Sequence, residues 1–223
     1  MKDYMYVADE FKAIVGEDNI LLNEPMSNHI SFKVGGPVDI LVIPRNYADV
    51  QELIKICNRT ETPYYIMGNG SNLLVKDGGI RGVVIKLSAL NIIEVTDNKI
   101  VAQSGALLSD VSEAALNHGL TGFEFACGIP GCVGGAVAMN AGAYIGEIKD
   151  VIESSLVVDK EGNLKRLTAE ELELSYRNSV ILQEGYVVLE ATFKLQYGDY
   201  NAIKAKIDEL QFRRKDKQPL EYP

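Results

Sequence analysis

The sequence predicts an α+β protein with two subdomains. A helix opens the chain, and strands and a second helix follow as far as the strand YYIM at residues 64–67. From Gly79 onwards the predicted elements are mainly strands joined by tight turns, which indicates a second subdomain. The 223 residues are 47% hydrophobic, enough to bury a core in one large domain or two small ones.

Apolar residues at helical spacing identify the helices. Val7, Phe11 and Ile14 share one face of a helix in the first sixteen residues, and Gly16 is expected to end it. Asn46 is expected to cap a second helix, a third is predicted over 107–118, and a last one precedes QPLEYP. The apolar faces of the second and last helices consist of Val50, Leu53, Ile54 and Cys57, and of Ile203, Ile207 and Leu210.

Alternating and β-branched residues identify the strands. Ile30, Phe32 and Val34 alternate with polar residues and predict a strand, which is followed by the more buried strand VDILVIP. Thr168 and Glu171 have the spacing of a capping box for a short helical turn before SYRNS. The strands predicted in the second half are GVVIKL, NIIEV, KIVAQSG, VIESSLVVD, NLKRL and GYVVLEATFKLQYG.

The acidic composition argues against a nucleic-acid partner. The formal net charge is −9, whereas neutralising phosphates requires clustered Lys and Arg. The one dense basic run is Arg213-Arg214-Lys215 with Lys217. It falls at the end of the last predicted helix, where cations complement the negative end of the helix dipole.

Cysteine and histidine usage predicts no metal site. The cysteines at 57, 127 and 132 form no CxxC pair, and two histidines do not complete a zinc ligand set. Cys57 is expected to pack in the core, and His118, which precedes Gly119, is expected to cap a helix end. Unpaired cysteines fit a reducing compartment.

We expect neither a membrane span nor a secretory signal. The apolar runs VDILVI and GYVVLEATF are far shorter than a bilayer-crossing helix. The first residues, MKDYMYVADEFKAIVG, carry acids among their apolar positions, unlike a secretory signal. The expectation is a cytoplasmic, monomeric protein.

Glycine is concentrated in two parts of the chain. Five of the 20 glycines fall between residues 68 and 82, and eight fall between 119 and 146. Such clusters mark backbone that must turn tightly or approach a ligand closely.

The first cluster contains Gly68-Asn69-Gly70-Ser71-Asn72, directly after a predicted strand. Its backbone N–H groups are placed to converge on a phosphate as a nest does, although a plain turn accounts for the sequence equally well. It is neither the Rossmann fingerprint, because Leu73 replaces the third glycine, nor a Walker A loop, because no Lys-Ser/Thr follows.

The second cluster is GIPGCVGGAVAMNAGAY, residues 128–144, which carries no charged side chain. Small, apolar residues that leave the backbone accessible suit a flat, uncharged ring with a pyrophosphate, as in a flavin dinucleotide. A buried, glycine-rich packing segment is the alternative.

Four blocks carry a family resemblance when they are taken together. They are SFKVGGP at 31–37, GNGSNLLV at 68–75, GIPGCVGGAVAMNAGAYIGE at 128–147 and SYRNS at 175–179. In this order they resemble the signature blocks of the UDP-N-acetylenolpyruvoylglucosamine reductase family, and they extend over most of the chain. GNGSN is also shared with other flavoproteins of the vanillyl-alcohol-oxidase-like superfamily.

The resemblance implies a two-lobed FAD-binding fold of the vanillyl-alcohol-oxidase type, also called the PCMH type. The lobes are expected at 1–88 (α/β) and 89–198 (α+β), with 199–223 forming a helix and a linker towards a substrate domain that this chain does not include. The implied FAD contacts are Gly68, Asn69, Gly70, Ser71, Asn72 and Leu73 at the pyrophosphate, and Gly128, Ile129, Pro130, Gly131, Gly134, Ala136, Asn140 and Gly142 at the flavin. Lys33 stands where the family more often has Arg.

The resemblance also implies NADPH-dependent reduction of UDP-N-acetyl-enolpyruvoylglucosamine to UDP-N-acetylmuramate. Arg177 matches the arginine that stabilises the enolate-like intermediate, with a surface salt bridge as the alternative role. Tyr176 is expected to contact substrate or to be a buried aromatic residue. The serine that protonates the enolate and a glutamate that completes the site have no counterpart in the 223 residues, so this polypeptide is expected to bind FAD without turnover.

Two rival functions remain open from the sequence. One is a different FAD oxidoreductase of the same superfamily, which would keep the GNGSN loop without needing SYRNS. The other is a flavin-binding module without catalytic activity.

Overall fold

The computed structural model describes residues 4–144 and 146–217. Its first sheet has four strands: β1 (Ile20–Pro25), β2 (Pro37–Val42), β3 (Tyr64–Met67) and β4 (Ile80–Lys86). Their order is β1-β2-β4-β3, in which β1 pairs antiparallel with β2, and β2 and β3 both pair parallel with β4. Helices α1 (Ala8–Val15) and α2 (Tyr47–Arg59) pack against this sheet. Because β3 and β4 are parallel, both end at the same edge, next to the first glycine cluster.

The second sheet is entirely antiparallel. It consists of β5 (Ile93–Thr96), β6 (Lys99–Gln103), β10 (Ile152–Val158), β11 (Leu164–Thr168) and β12 (Val187–Lys194), in the order β11-β10-β12-β6-β5. Two short pairs are formed by β7 (Leu120–Thr121) with β13 (Gln196–Tyr197), and by β8 (Gly142–Ala143) with β9 (Gly146–Glu147). The other helices are α3 (Leu108–Asn117), α4 (Val133–Ala138), α5 (Val180–Glu184) and α6 (Tyr200–Lys217).

Strand β12 lies between two hydrophobic cores. Val187 and Leu189 belong to the core beneath α1 and α2, whereas Val188 and Phe193 belong to the core of the second sheet. Burial on both faces explains the consecutive hydrophobic residues Val187-Val188-Leu189 at the start of the strand. The first sheet and the second therefore share apolar packing, which fixes the edges where the glycine clusters lie.

A polar network also joins helix α2 to the second sheet. The Tyr47 hydroxyl on α2 donates to Glu190 Oε2 on β12 at 2.8 Å and accepts from Gln103 Nε2 on β6 at 3.2 Å. Burial, together with the bond to Glu190, raises the pKa of Tyr47 to about 12, so the phenol keeps its proton near neutral pH. The sheets lie on either side of residue 88, and the division into lobes at that position stays a prediction.

Most helices form where the sequence predicts them. Helix α1 ends at Gly16, which has a φ of 84°, and the Asn46 side chain caps α2 by accepting from Asp49 N at 2.9 Å. His118 ends α3 with its Nδ1 2.8 Å from Ala114 O, and Cys57 is buried in the core. The buried face of α6 consists of Ile203, Ile207 and Leu210, and its last turn carries Arg214, Lys215 and Lys217.

The predicted strand at Ile30–Val34 is wrong. After a 3-10 helix at Met26–Asn28 the chain turns, with Lys33 N donating to Ile30 O at 3.1 Å and Lys33 at a φ of 51°. Ile30 alone of the three apolar residues is buried, and Ser31 N donates to Gly70 O at 3.2 Å. The segment packs against the first glycine cluster through Ile30 and Ser31 and joins no sheet.

The predicted capping box is present. Thr168 N donates to Glu171 Oε2 at 2.8 Å, and Glu171 N donates to Thr168 Oγ1 at 3.3 Å. Leu172 N donates to Thr168 O at 3.1 Å, so the box closes a single helical turn that does not continue into a helix. The terminal prolines of QPLEYP lie outside the described residues.

Within residues 4–144 and 146–217, no helix combines the length and the hydropathy that crossing a bilayer requires. The same residues hold no group of three or more His, Cys, Asp or Glu side chains arranged to bind a metal ion.

Candidate functional site

The first glycine cluster forms a loop at the carboxyl ends of β3 and β4. Gly70 has a φ of 66°, and a Cβ there would lie only 2.4 Å from His29 O. Only glycine meets both conditions, because other L residues rarely adopt this φ and none can dispense with a Cβ. The close approach to residues 29–31 fixes the loop in place.

The loop leaves a row of backbone donors without protein acceptors. Outside regular helices and strands, none of the backbone hydrogen bonds among residues 4–144 and 146–217 has its donor in 69–73. Buried or half-buried N–H groups need a partner, and a row of them in a turn is suited to an anion.

The second glycine cluster packs against the end of β6. Gly134 N donates to Ser104 O at 2.8 Å, and a Cβ on Gly134 would lie 2.0 Å from Ser104 Oγ. Gly135, the next residue of α4, has no atom within 4 Å of a Cβ position and is exposed. Thus one glycine of the pair allows packing, and the other faces open space.

The two glycine clusters meet directly. A Cβ on Gly68 would lie 2.1 Å from Cys132 Sγ. Asn69 Nδ2 donates to Pro130 O at 3.1 Å, and Asn72 Nδ2 lies 3.2 Å from Met139 Sδ. Segments more than 60 residues apart in the chain therefore form two walls of one space.

This space is a cleft of about 460 Å³, which we call the glycine-loop cleft. Arg177 is the one charged side chain among the described residues that line it. Of the predicted site residues, it brings together Gly68, Asn69, Gly70, Ser71, Asn72, Leu73, Ile129, Gly131, Ala136 and Arg177.

A second cleft, of about 610 Å³, shares a wall with the first. We call it the tyrosine cleft, because Tyr64, Tyr65 and Tyr186 line it. The residues common to both clefts are Ile66, Gly68, Gly135, Ala138 and Leu182. An extended ligand can therefore occupy both spaces.

A third cleft, of about 360 Å³, lies on the other side of Arg177. We call it the acidic cleft, because Glu147 and Asp150 line it together with Arg177 and Tyr176. Glu147 forms an ion pair with Lys149, and its hydrogen bond to the ammonium group raises the pKa of Lys149. Arg177 borders both this cleft and the glycine-loop cleft.

The remaining predicted residues lie outside the glycine-loop cleft. Gly134 lines the tyrosine cleft, whereas Asn140, Gly142 and Tyr176 line the acidic cleft. Gly128 packs against α6, since a Cβ there would lie 2.9 Å from Arg214 Cδ. Pro130 contributes its carbonyl to the bond with Asn69.

Arg177 occupies the tip of a tight turn. The turn runs from Ser175 to Asn178, and Arg177 is exposed with a φ of 55°. In the described part of the chain, no ion pair involves Arg177. Its guanidinium carbon lies 5.8 Å from the centroid of the Tyr176 ring. Tyr176 is 86% exposed, so the alternative that it is a buried aromatic residue is wrong.

Some cleft residues escaped the sequence prediction. Gly135, Ala138, Met139 and Leu182 line the glycine-loop cleft, as does Ile66 at the end of β3. Gly135 could have been identified from the sequence, because two adjacent glycines weaken a helix and are kept there for a structural or functional reason. Nothing in the sequence marks Leu182, on α5, as a cleft residue.

A polar cluster supports the glycine loop from behind. His29 Nε2 lies 2.9 Å from Glu24 Oε1, and its Nδ1 lies 3.1 Å from Lys86 Nζ. Burial lowers the pKa of Lys86. The carbonyl of His29 is the atom that Gly70 approaches, so this cluster holds the residue on which the loop rests.

The joined clefts suit a dinucleotide with an uncharged ring system. Small and apolar residues give a flat ring access to the glycine-loop cleft, and the free amides at 69–73 provide donors for phosphate oxygens. The tyrosine cleft adds aromatic surface at which a second ring can pack.

Comparisons with known proteins agree with this chemistry. A family model described as FAD binding domain matches residues 38–168, more than half of the chain. The UDP-N-acetylenolpyruvoylglucosamine reductase of Clostridium perfringens is 57% identical over 227 residues, an alignment that covers 100% of this chain and 73% of that protein. The corresponding reductase of Clostridium tetani is 60% identical over 209 residues, covering 94% of this chain and 68% of that protein.

Solved structures have the same fold. The crystal structure of the Thermus caldophilus UDP-N-acetylenolpyruvylglucosamine reductase superposes with a TM-score of 0.75 at 32% identity, covering 89% of this chain and 70% of that one. p-Cresol methylhydroxylase superposes with a TM-score of 0.63 at 17% identity, covering 88% of this chain and 44% of that one, and shows the fold alone. The predicted α+β, two-lobed FAD-binding fold and the prediction of FAD as cofactor are confirmed.

Replacing Gly135 with Ala is expected to separate folding from cofactor binding. Alanine is favoured over glycine within a helix by up to about 1 kcal/mol, so the FAD-free protein should become more stable. The added methyl group would project into a space shared by the two larger clefts, and FAD affinity should fall about tenfold or more. Urea unfolding and fluorescence titration with FAD measure the two effects.

Gly78→Ala is the matched control. A Cβ at Gly78 also meets no atom within 4 Å, and Gly78 lines neither of these clefts. Its FAD affinity should stay at the wild-type value. Unchanged FAD affinity in Gly135→Ala would show that the cofactor does not reach this wall.

Proposed function

Because this chain belongs to the UDP-N-acetylenolpyruvoylglucosamine reductase family, we propose that it provides the FAD-binding part of an enzyme that makes UDP-N-acetylmuramate. The substrate is UDP-N-acetyl-enolpyruvoylglucosamine and the reductant is NADPH. When bound, FAD would supply the hydride chemistry that couples NADPH oxidation to reduction of the enolpyruvyl group. The product is a precursor of the bacterial cell wall.

One observation carries the proposal. A single charged side chain among the described lining residues, that of Arg177, stands where the glycine-loop cleft meets the acidic cleft. Substrate reduced at a bound flavin must reach the ring from an open side, and Arg177 borders both spaces. A cation at that border lies where negative charge would develop on the substrate.

The loop at 68–73 has the task of holding the cofactor's pyrophosphate. Its free amides supply neutral donors, which leave the surrounding cleft without fixed charge apart from Arg177. The flavin-side contacts are Ile129, Gly131 and Ala136, to which the geometry adds Gly135. The tyrosine cleft is the place for the remainder of the dinucleotide.

Arg177 stabilises the enolate that hydride addition creates. Its guanidinium is charged at every working pH and offers donors in a fixed fork. With no protein carboxylate bound to it in the described residues, that fork is available to the substrate. Tyr176, exposed beside it, is placed to contact the substrate as well.

The proposed reductant and nucleotide-sugar substrate are cytoplasmic metabolites, and we place the reaction in the cytoplasm. Cys57, Cys127 and Cys132 are all free thiols, which fits a reducing compartment.

Arg177→Lys is expected to lower kcat about 10²–10³-fold in the natural protein that carries this sequence. Lysine keeps the charge but loses the forked, bidentate geometry. FAD affinity should stay unchanged, because an ammonium replaces a guanidinium at the rim of the cleft. Steady-state kinetics and a flavin titration measure the two quantities.

Arg59→Lys is the matched control, because Arg59 lies on α2 and pairs with Glu10 away from the clefts. It should turn over like the wild type. Wild-type kcat in Arg177→Lys would remove Arg177 from the catalytic residues.

The polypeptide of 223 residues, assayed by itself, is expected to bind FAD and to give no measurable UDP-N-acetylmuramate. The alignment covers 73% of the Clostridium perfringens reductase. We propose that the serine and the glutamate implied by the family resemblance belong to the part of the enzyme outside these 223 residues. Loss of a positioned general acid commonly costs about 10²–10⁴-fold in rate.

Absorbance after desalting measures the bound flavin, and chromatography of the reaction mixture measures the product. NADPH oxidation matched by UDP-N-acetylmuramate would contradict the expectation. A folded polypeptide that retained no flavin would contradict the FAD assignment itself.

A further inference from the structure

The turn that carries Arg177 has few contacts of its own. Ser175 N donates to Asn178 O at 3.0 Å, and Asn178 N donates to Ser175 O at 3.2 Å. Both residues at the tip, Tyr176 and Arg177, are exposed. Arg177 also adopts a φ of 55°, which is unfavourable for a side chain of this kind, so contacts outside the turn must hold it.

Two buried side chains provide those contacts. Asn140 Nδ2 donates to Ser175 O at 3.2 Å, and Ser179 Oγ donates to Ala138 O at 2.6 Å. Asn140 is 3% exposed and Ser179 is fully buried. The ends of the turn are therefore tied to the second glycine cluster, at the C-terminal end of α4.

The orientation of the Asn140 amide is set by its other partners. Its Nδ2 also donates to Glu147 Oε2 at 2.7 Å, and its Oδ1 accepts from Lys149 N at 2.9 Å. The reversed amide would place oxygen against a carboxylate and NH₂ against a backbone N–H. Both N–H donors of the Asn140 amide are therefore used within the protein. Asparagine also tolerates the φ of 42° that Asn140 adopts.

We propose that Asn140 and Ser179 are positioning residues that clamp residues 175–178 to the second glycine cluster. The clamp sets where the Arg177 guanidinium stands between the glycine-loop cleft and the acidic cleft. Asn140 thereby acts on the reaction through Arg177 and not by contacting the flavin. The catalytic consequence rests on the proposed function, whereas the clamp itself does not.

The clamp can be tested without turnover, because trypsin cleaves after Arg177 and the tip is exposed. Asn140→Asp keeps the oxygen that accepts from Lys149 N but loses the donor to Ser175 O and opposes the Glu147 carboxylate. Loss of one such bond should raise local opening, and cleavage at Arg177–Asn178 in the folded protein, about tenfold. Mass spectrometry of the fragments measures that cleavage.

Asn98→Asp is the matched control, because Asn98 Nδ2 donates to another backbone carbonyl, Leu195 O at 2.9 Å, away from the turn. It should leave cleavage after Arg177 unchanged. Ser179→Ala removes the other tie and should raise the same cleavage, which keeps the test decisive if Asn140→Asp does not fold.

The catalytic part is tested in the natural protein that carries this sequence, loaded with FAD. Misplacing a catalytic group by about 1 Å can cost about 10²-fold, so kcat should fall by that order in Asn140→Asp and Ser179→Ala. FAD affinity and the KM for NADPH should stay close to wild type, which a general loss of folding would not allow. Asn98→Asp should keep the wild-type kcat.

The outcomes separate this inference from the proposed function. Wild-type cleavage after Arg177 in both clamp variants would overturn the clamp, whatever Arg177→Lys does. Increased cleavage with a normal kcat would overturn the positioning role. Normal turnover in Arg177→Lys would instead defeat the proposed role of Arg177, while the cleavage result would still decide whether the clamp exists.

Discussion

The contact between Gly68 and Cys132 is the constraint on which the candidate site depends. A Cβ on Gly68 would lie 2.1 Å from Cys132 Sγ, so a larger residue at position 68 would force either the thiol or the two segments to shift. The bond from Asn69 to Pro130 O and the contact of Asn72 with Met139 hold the same junction further along. Because the junction is close, the remaining space between the clusters has the depth of a cleft rather than of an open groove.

The fold brings this junction about by placing two sheet edges together. Strands β3 and β4 end where the first cluster begins, and the end of β6 receives the second cluster through the bond from Gly134 N to Ser104 O. Strand β12 is buried on both faces and connects the two cores, so the edges cannot shift independently. The candidate site thus depends on packing far from the glycine clusters. The position of Arg177 depends on the second cluster, because Asn140 and Ser179 tie residues 175–178 to that cluster.

The sequence was informative where local chemistry decides the structure. The helix capped by Asn46, the ending of α1 at Gly16 and the glycine loop after β3 all follow from residue type and spacing. The strand prediction at Ile30–Val34 was wrong because alternation does not reveal whether a partner strand exists. This segment packs on Gly70 instead. The exposure of Tyr176, the inward use of the Asn140 amide and the place of Leu182 in the cleft depend on contacts between distant segments, which spacing does not encode.

Hydrogen exchange with and without FAD tests most directly whether the two glycine clusters form the walls of one FAD site. The free amides at 69–73 should become strongly protected on binding, together with the segment at 133–139. The turn between β5 and β6 at 97–98, which lines none of the three clefts, should exchange as before. Protection of one cluster without the other, or protection confined to the acidic cleft, would contradict the account.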